Sequence, residues 1–237
     1  MKYMGSKSRI AKSIAPILQE AVDKMGGAYW EPFCGGCNMI DKIRAPKRYA
    51  TDYNKYLIAM WQHLLENRDT EYPEEITKEE YADVRAHKEN YPDWYVGYVG
   101  FLASYNGKFF GGYAGRVKTK VGTVRNYYDE ARRNVFAQLD NLAGVKFSTR
   151  NYVESHPNGL VIYCDPPYEN TTGYTTGDFD HKQFWQIMRE WSKNNVVFIS
   201  EENAPDDFVC VWEQEVTRTQ DNTKRKVATE KLFRYRM

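Results

Sequence analysis

The sequence predicts an α/β fold with a nucleotide-binding sheet, helices on both faces of the sheet and a mostly helical insertion. Residues 28–65 alternate strand, turn, helix, strand and helix, and an acidic residue ends each strand. Residues 159–164 form an apolar run bounded by Pro and Gly, which is typical of a buried strand. Residues 67–143 break the alternation, because helical patterns there surround a Gly-rich basic stretch. The fold class follows from these three observations.

The first part of the predicted sheet follows an amphipathic helix. Apolar residues recur at Ile10, Ile14 and Leu18, which is the spacing of a helix at residues 8–24. The next elements are a strand at 28–30 before Glu31, a turn at 32–36, a short helix at 39–43, a strand at 48–51 before Asp52 and a helix at 55–65. Acidic residues at strand ends indicate a polar sheet edge where a ligand binds.

The rest of the chain divides into the insertion and further sheet elements. The insertion has predicted helices at 77–90, 93–105 and 127–142 around an exposed loop at 107–126. The later elements are strands at 145–149, 160–164, 196–200 and 208–212, a helix at 181–193 and a β-rich tail at 227–235. We expect residues 1–66 and 144–237 to form one domain and residues 67–143 to form an inserted one.

The length and composition of the chain indicate which broad class of protein it belongs to. With 237 residues, of which 42% are hydrophobic, the chain can bury a core. No stretch approaches the ~18 apolar residues of a membrane span, and no signal-peptide segment is visible, so we expect a soluble, cytoplasmic protein. Cys34 and Cys37 have the spacing of a zinc-binding or redox pair. The other two cysteines, however, lie far away in the sequence, and the histidines are scattered. We therefore expect no metal.

Basic residues are segregated along the chain, although the net charge is only +1. Residues 107–135 carry seven basic and two acidic side chains, a local net charge of +5, whereas residues 66–80 are acidic. A second basic group lies between Arg218 and Arg236. Segregation of this kind is typical of surfaces that contact nucleic-acid phosphates, and solvated surface charge is the alternative.

The loop Asp165-Pro166-Pro167-Tyr168 directly follows the apolar run at 159–164. It therefore lies at the carboxyl end of a predicted strand, the edge at which open α/β sheets bind ligands. The prolines fix the backbone, the carboxylate and a carbonyl accept hydrogen bonds, and the tyrosine offers a stacking face. Two acceptors and an aromatic face are the groups that would bind an exocyclic amine on a planar heterocycle.

A second motif, Glu31-Pro32-Phe33-Cys34-Gly35-Gly36, follows the first predicted strand. Glycines there let a ligand approach the backbone, and Asp52 further along can accept hydrogen bonds from ribose hydroxyls, which indicates an adenosine site. Gly-x-Gly-x-x-Gly is absent, so the motif is not a dinucleotide fingerprint. Gly5-Ser6-Lys7-Ser8 lacks the preceding strand and upstream glycine of a phosphate loop.

Four motifs occur here in the order found in one enzyme family. They are Lys2-Tyr3-Met4-Gly5-Ser6-Lys7, Glu31-Pro32-Phe33-Cys34-Gly35-Gly36, Thr51-Asp52-Tyr53-Asn54 and Asp165-Pro166-Pro167-Tyr168. The ordered set resembles Dam-like, alpha-class DNA N6-adenine methyltransferases. The resemblance covers the start, the sheet and the terminal half. Over residues 67–143 it rests on Tyr105-Asn106-Gly107 with Phe109 and Phe110, similar to a DNA-contacting loop of such enzymes.

The resemblance implies a Rossmann-like methyltransferase fold, S-adenosyl-L-methionine as cofactor and double-stranded DNA as partner. Residues 1–66 and 144–237 would be the catalytic domain and residues 67–143 the target-recognition domain. The implied catalytic residues are Asp165, Pro166, Pro167 and Tyr168. The implied cofactor-binding residues are Tyr3, Gly5, Lys7, Glu31, Phe33, Gly35, Asp52 and Asp165. The candidate DNA-binding residues are Asn106, Lys108, Arg116, Lys118, Lys120 and Arg125.

The implied reaction is direct transfer of a methyl group to N6 of an adenine extruded from the duplex. Alternatives are a methyltransferase for another planar amine (cytosine N4, RNA adenine or a glutamine side chain) and a non-catalytic DNA-binding relative. Asn151 departs from the family, whose members often carry an acidic residue there, so Asn151 and Tyr152 are secondary candidates for cofactor contacts. The expected oligomeric state is a monomer or a weak dimer.

Overall fold

The structure is a computed structural model that describes residues 1–118, 121–168, 179–221 and 224–236, with the backbone alone for 217–221 and 224–226. Its helices are α1 (Ala11–Met25), α2 (Lys55–Glu66), α3 (Lys78–Ala86), α4 (Asp93–Leu102), α5 (Tyr127–Phe136), α6 (Leu139–Leu142) and α7 (His181–Ser192). Its strands are β1 (Ala28–Glu31), β2 (Arg48–Asp52), β3 (Arg116–Lys118), β4 (Val124–Asn126), β5 (Val145–Thr149), β6 (Leu160–Cys164), β7 (Val196–Glu201), β8 (Phe208–Asp221) and β9 (Lys224–Tyr235).

Within the described residues, seven strands form one sheet in the order β5-β2-β1-β6-β7-β9-β8. β6 pairs in parallel with β1 and with β7. β9 pairs antiparallel with β7 and with β8. Parallel strands connected through helices and followed by an antiparallel hairpin confirm the predicted Rossmann-like α/β class. No helix in the described part of the chain is long and apolar enough to cross a membrane.

The chain divides into two compact units. Unit 1 comprises Met1–Ala11, Cys34–Lys42 and Ala50–Arg150, and unit 2 comprises Lys12–Phe33, Ile43–Tyr49 and Asn151–Met237. The division of the sequence into a catalytic domain at 1–66 and 144–237 and a target-recognition insertion at 67–143 stays a prediction.

Unit 1 has a core of packed helices. Asn54 caps the first turn of α2 by accepting hydrogen bonds from the backbone nitrogens of Tyr56 and Leu57. α4 can approach α2 closely because Gly97 has no side chain, and a Cβ there would lie 2.0 Å from the carbonyl oxygen of Tyr56. Gln62 of α2 donates to the carbonyl oxygen of Phe147 in β5 at 2.9 Å, which holds this strand against the helix.

Unit 2 has an aromatic core between α7 and the sheet. Trp30 of β1 and Trp191 of α7 pack with ring centroids 5.0 Å apart. Asp180 caps α7 by accepting from the backbone nitrogen of Gln183 at 2.8 Å. At the other end of the helix, Arg189 forms two hydrogen bonds to Asp207, 2.5 and 2.9 Å long. The helix is therefore fixed at both ends and through its apolar face.

Four local predictions differ from the structure. The helix predicted at 39–43 is one 3₁₀ turn, Ile40–Lys42. The loop predicted at 107–126 contains the hairpin of β3 and β4. The predicted helix at 127–142 is interrupted between α5 and α6. The strands β8 and β9 are longer than predicted and pair from Phe208↔Tyr235 to Asp221↔Lys224.

Candidate active site

The Asp165 to Tyr168 loop leaves β6 at its carboxyl end, as predicted. β6 is apolar and buried from Val161 to Cys164, so the chain becomes polar where the sheet ends. Asp165 is half-buried, whereas Tyr168 is only 8% exposed. The rings of Pro166 and Pro167 restrict the backbone φ angles between these two side chains. The loop therefore presents one carboxylate and one aromatic ring from a restrained backbone.

Glu31 lies at the same sheet edge as this loop. The parallel register pairs Trp30 with Ile162, so Glu31 at the end of β1 lies within about one residue of the end of β6 at Cys164. Glu31 is 2% exposed and accepts a hydrogen bond from the hydroxyl of Tyr29 at 2.7 Å. In unit 2, the structure thus brings together two of the predicted acidic residues, Glu31 and Asp165.

This edge of unit 2 is electrostatically negative. Burial first, and then the charge of Asp165 together with those of Glu31 and Glu230, raise the pKa of Tyr163 well above its usual range. Burial, followed by Asp165 and Glu31, also raises the pKa of the Cys164 thiol. Cys164 therefore stays protonated, which opposes nucleophilic or redox use of this cysteine. A negative edge of this kind suits a ligand that offers hydrogen-bond donors or positive charge.

Glu230 of β9 belongs to this site and sequence reasoning missed it. Its side chain is 7% exposed and accepts a hydrogen bond from the hydroxyl of Tyr168 at 3.0 Å. In a strand, Glu230 and the buried Leu232 lie on the same face because their spacing is two residues. An acidic residue at such a core-facing position was the signal that could have found it.

Asp52 holds the turn at Gly35 in unit 1. One carboxylate oxygen of Asp52 accepts from the backbone nitrogen of Gly35 at 3.1 Å, and the other accepts from that of Asn54 at 3.0 Å. Burial raises the pKa of Asp52, while the backbone hydrogen bonds act in the opposite direction. The strand end and the Gly35 turn are therefore tied together through one half-buried carboxylate.

Gly35 packs directly against Tyr3. Its φ is +44°, and a Cβ there would lie 2.8 Å from the Tyr3 ring. The indole nitrogen of Trp61 donates to the carbonyl oxygen of Gly35 at 3.2 Å. Tyr3 also stacks on Phe101 with centroids 5.7 Å apart. Only glycine fits this turn, which brings Tyr3, Gly35 and Asp52 together in unit 1.

Gly5 and Lys7 form the adjoining segment of unit 1. Gly5 has a φ of +80°, and Lys7 is 8% exposed. The Lys7 ammonium group donates to the carbonyl oxygen of Gly5 at 3.4 Å. Burial of an ammonium group is unfavourable unless anionic or carbonyl oxygens surround it, and the Gly5 carbonyl supplies one such oxygen.

Phe33 lies in unit 2, in an aromatic cluster beside the end of β1. Its ring contacts Tyr152, with centroids 4.9 Å apart, and Phe184, at 6.0 Å. Tyr152 is 9% exposed. The side chain of Asn151 accepts from the backbone nitrogen of Val153 at 3.2 Å and so caps a short 3₁₀ turn. The proposed cofactor contacts of Asn151 and Tyr152 stay predictions.

Several candidate DNA-binding residues lie on or near the β3–β4 hairpin, which starts at Arg116. Lys118 is exposed, and Arg116 forms an ion pair with Glu75 at 3.2 Å. Arg125 makes two hydrogen bonds to Glu130, 2.6 and 2.8 Å long, and lies over the Tyr127 ring. The hydrogen bonds from Arg125 are the main reason why the pKa of Glu130 falls to about 2. Lys120 lies outside the described residues.

The loop before the hairpin has both exposed polar and buried aromatic residues. Asn106 is exposed with a φ of +54°, and Lys108 is half-buried. Phe109 stacks on Tyr56 with centroids 5.6 Å apart, and Phe110 is 7% exposed. The two phenylalanines therefore anchor this loop in unit 1, while Asn106 remains accessible. Among the described residues, no group of three His, Cys, Asp or Glu side chains is placed to hold a metal ion.

Comparison with known families gives a match over most of the chain. The family model of the D12 class N6 adenine-specific DNA methyltransferases matches residues 3–94 and 94–226. The Type II methyltransferase M.FokI of Planomicrobium okeanokoites is 25% identical over 211 residues. This alignment covers 80% of the chain and 32% of M.FokI, so the chain spans about a third of the length of that relative.

Solved structures align with the chain at low similarity. A suggested RNA methyltransferase of Pyrococcus horikoshii aligns with a TM-score of 0.46 and 9% identity, over 95% of this chain and 81% of that one. A precorrin 8w decarboxylase of Methanobacterium thermoautotrophicum aligns with a TM-score of 0.38 and 7% identity, over 94% and 89%. The fold class therefore rests on the strand order of the chain itself.

Proposed function

Because this chain belongs to the D12 class N6 adenine-specific DNA methyltransferase family, we propose that it transfers a methyl group from S-adenosyl-L-methionine to N6 of adenine in double-stranded DNA. The observation that carries the proposal is the Asp165 to Tyr168 loop at the carboxyl end of β6. It supplies the acceptors and the aromatic ring that an adenine amine needs, at the sheet edge where such folds bind ligands.

The polar groups of the chain fit the proposed cofactor. In unit 1, the Asp52 carboxylate has lone pairs beyond those taken by backbone nitrogens, so it can accept from ribose hydroxyls. Lys7 is a buried cation suited to the carboxylate of the methionine part. Tyr3, Gly5 and Gly35 complete the proposed contacts of unit 1, and Glu31, Phe33 and Asp165 are those of unit 2. When bound, this cofactor supplies an activated methyl group on a sulfonium.

The loop residues would hold the target amine. The Asp165 carboxylate and the carbonyl oxygen of Pro166 accept hydrogen bonds from the two N–H groups of adenine N6. Both N–H bonds then point toward the loop, and the nitrogen lone pair points away from it. Pro166 and Pro167 keep the two acceptors in a fixed relation. Alignment of two reactants in this way can lower a barrier by about 7–11 kcal/mol, so no covalent enzyme intermediate is required.

Tyr168 would stack on the extruded base. Extrusion of a base from a duplex costs a few kcal/mol. Stacking on an aromatic side chain contributes about 1–3 kcal/mol per base, and the hydrogen bonds to Asp165 and Pro166 add to that. These contributions together can offset the cost of extrusion. Among the possible amines, the resemblance to adenine-specific enzymes favours adenine, since Asp165 stands at the first position of the loop.

Residues 67–143 would contact the DNA outside the target base. Lys118 and Arg116 lie exposed on β3, and Arg125 lies on β4. We assign these side chains, with Lys120, to phosphate contacts, and Asn106 with Lys108 to positions nearer the bases. The assignment rests on the local charge and on the exposed hairpin that carries it.

A nucleoside assay tests the proposed function. The chain is incubated with duplex DNA and a cofactor that carries a labelled methyl group, and the DNA is then digested to nucleosides. We expect the label in N6-methyladenine. Label in N4-methylcytosine would indicate the other planar amine, and retention of DNA without any label would indicate a binding protein. Sequencing of modified adenines in DNA from an expressing host then yields the methylated sequence.

A further inference from the structure

Two buried polar side chains meet beside the proposed active-site loop. The Tyr168 hydroxyl donates to a carboxylate oxygen of Glu230 at 3.0 Å. The exposed fractions of the two residues are 8% and 7%. A buried carboxylate is unfavourable without hydrogen-bond donors, and Tyr168 supplies one of them. The pair therefore joins the last residue of the loop to the sheet.

The backbone of Glu230 is held by its neighbours in the sheet. Glu230 pairs with Gln214 of β8, and the next residue, Lys231, pairs with Glu201 of β7. β9 is therefore hydrogen-bonded on both sides next to Glu230. A side chain that starts from a strand fixed in this way has a defined origin, and its carboxylate can serve as a fixed acceptor.

The protonation state of Tyr168 suits this role. Burial first, and then the Asp165 and Glu230 carboxylates, raise the pKa of Tyr168 well above its usual range. The hydroxyl thus keeps its proton and donates a hydrogen bond to Glu230. A hydrogen bond to a charged acceptor is stronger than one between neutral groups. It restricts rotation of the Tyr168 side chain before any base arrives, which lowers the entropy lost on stacking.

We propose that Glu230 is a positioning residue that holds the Tyr168 ring in the orientation needed to stack on the extruded adenine. The inference rests on the proposed function of the loop. Glu230 acts through the Tyr168 hydroxyl and contacts no reacting atom. Its loss should therefore reduce the population of the extruded, stacked base and the rate of methyl transfer, while cofactor binding changes little.

The test uses the full chain and a duplex that carries 2-aminopurine, a fluorescent adenine analogue, at the methylated position. The variants are Glu230→Ala, Glu230→Gln, Tyr168→Phe and the double variant Tyr168→Phe with Glu230→Ala. Ser200→Ala is the matched control, because Ser200 is the hydroxyl partner of another buried tyrosine, Tyr163, at 2.8 Å. Thermal unfolding and cofactor titration establish that each variant is folded.

We expect Glu230→Ala to lower kcat about tenfold or more, as for a lost hydrogen bond to a charged group, and to lower the fluorescence gain. KM for the cofactor should change less than about twofold. Glu230→Gln keeps an acceptor oxygen and should restore most of both signals. In the Tyr168→Phe background, Glu230→Ala should cause little further loss of kcat or fluorescence, because both substitutions remove the same hydrogen bond. Ser200→Ala should leave kcat and fluorescence unchanged.

Two outcomes would overturn the inference while wild-type methylation still supports the proposed function. One is a Glu230→Ala variant with wild-type kcat and fluorescence. The other is a double variant whose loss of kcat is the product of the losses in Glu230→Ala and Tyr168→Phe, which would mean that Glu230 acts independently of the Tyr168 hydroxyl.

If Glu230→Ala does not fold, the comparison of Glu230→Gln with Tyr168→Phe tests the inference. A loss of kcat in Glu230→Gln equal to that in Tyr168→Phe would contradict the role of an acceptor oxygen. Absence of methylation by the wild type would instead contradict the proposed function.

Discussion

The Asp52 carboxylate accepts a hydrogen bond from the backbone nitrogen of Gly35 at 3.1 Å, across 17 positions of sequence. This bond joins the end of β2 to the glycine turn against which Tyr3 packs. Three residues assigned to the cofactor site are thus mechanically connected within unit 1. A substitution at any one of them should therefore displace the other two, so substitutions in this turn test the assignment of all three residues to the cofactor site.

Gly35→Ala should weaken cofactor binding. The new Cβ would lie 2.8 Å from the Tyr3 ring at a φ of +44°, so Tyr3 or the turn must shift. Gly26→Ala is the matched control, because Gly26 has a φ of +62° and a Cβ there would meet nothing within 4 Å. Both variants should lose about 1 kcal/mol of stability from backbone strain. Only Gly35→Ala should reduce affinity in a calorimetric titration with S-adenosylmethionine; equal affinities would argue against this turn as a cofactor contact.

Asp165→Ala should abolish methylation and leave the fold intact. Asp165 is half-buried in a loop, so its loss removes an acceptor for the target amine without opening the core. Removal of one electrostatic contact in an active site lowers rates about 10²–10³-fold. The rate is measured with a labelled methyl donor and the fold by thermal unfolding. Asp206→Ala changes an exposed aspartate of the same unit and should be neutral. A normal rate for Asp165→Ala would remove Asp165 from the catalytic residues.

Lys118→Ala combined with Lys120→Ala should weaken DNA binding on all sequences. Each lysine that contacts a phosphate releases counterions, so the slope of log K against log salt should become less steep by about two units. Binding is measured by fluorescence anisotropy over a range of salt concentrations. Lys12→Ala with Lys182→Ala removes two exposed lysines of unit 2 and is the control. Unchanged slopes in the hairpin variant would exclude these lysines from the DNA interface.

Glu130→Gln should lower stability in a pH-dependent way. The pKa of Glu130 falls from 4.5 to about 2, mainly because Arg125 donates to it. A lowered pKa in the folded state stabilises the protein above pH 4.5, and that stabilisation disappears as the pH falls toward 2. The difference in unfolding free energy between wild type and Glu130→Gln should therefore be largest at neutral pH and shrink in acid.

Chemical denaturation at several pH values measures this difference. Glu20→Gln is the control, since Glu20 pairs with Lys24 on the surface, where ion pairs contribute at most about 1 kcal/mol. A difference for Glu130→Gln that stays constant across the acid range would show that the ion pair with Arg125 does not stabilise the fold.

Much of the sheet was predictable because its signals are local. The apolar run before Asp165 and the short runs before Glu31 and Asp52 identify three strands and the polar residues that end them. The strand at 145–149 was predicted with the bounds that the structure has. The hairpin of β3 and β4 was missed, since its three-residue strands are exposed and carry no alternating apolar pattern.

The fold class, the order of the motifs and the residue types at each strand end follow from the amino-acid order alone, because periodicity and strand-end chemistry are properties of neighbouring residues. The partners of the polar side chains do not. Tyr168 and Glu230 are 62 positions apart, and Tyr163 and Ser200 are 37 positions apart. Such pairings depend on strand register and on burial, which arise when distant segments pack and which no local pattern encodes.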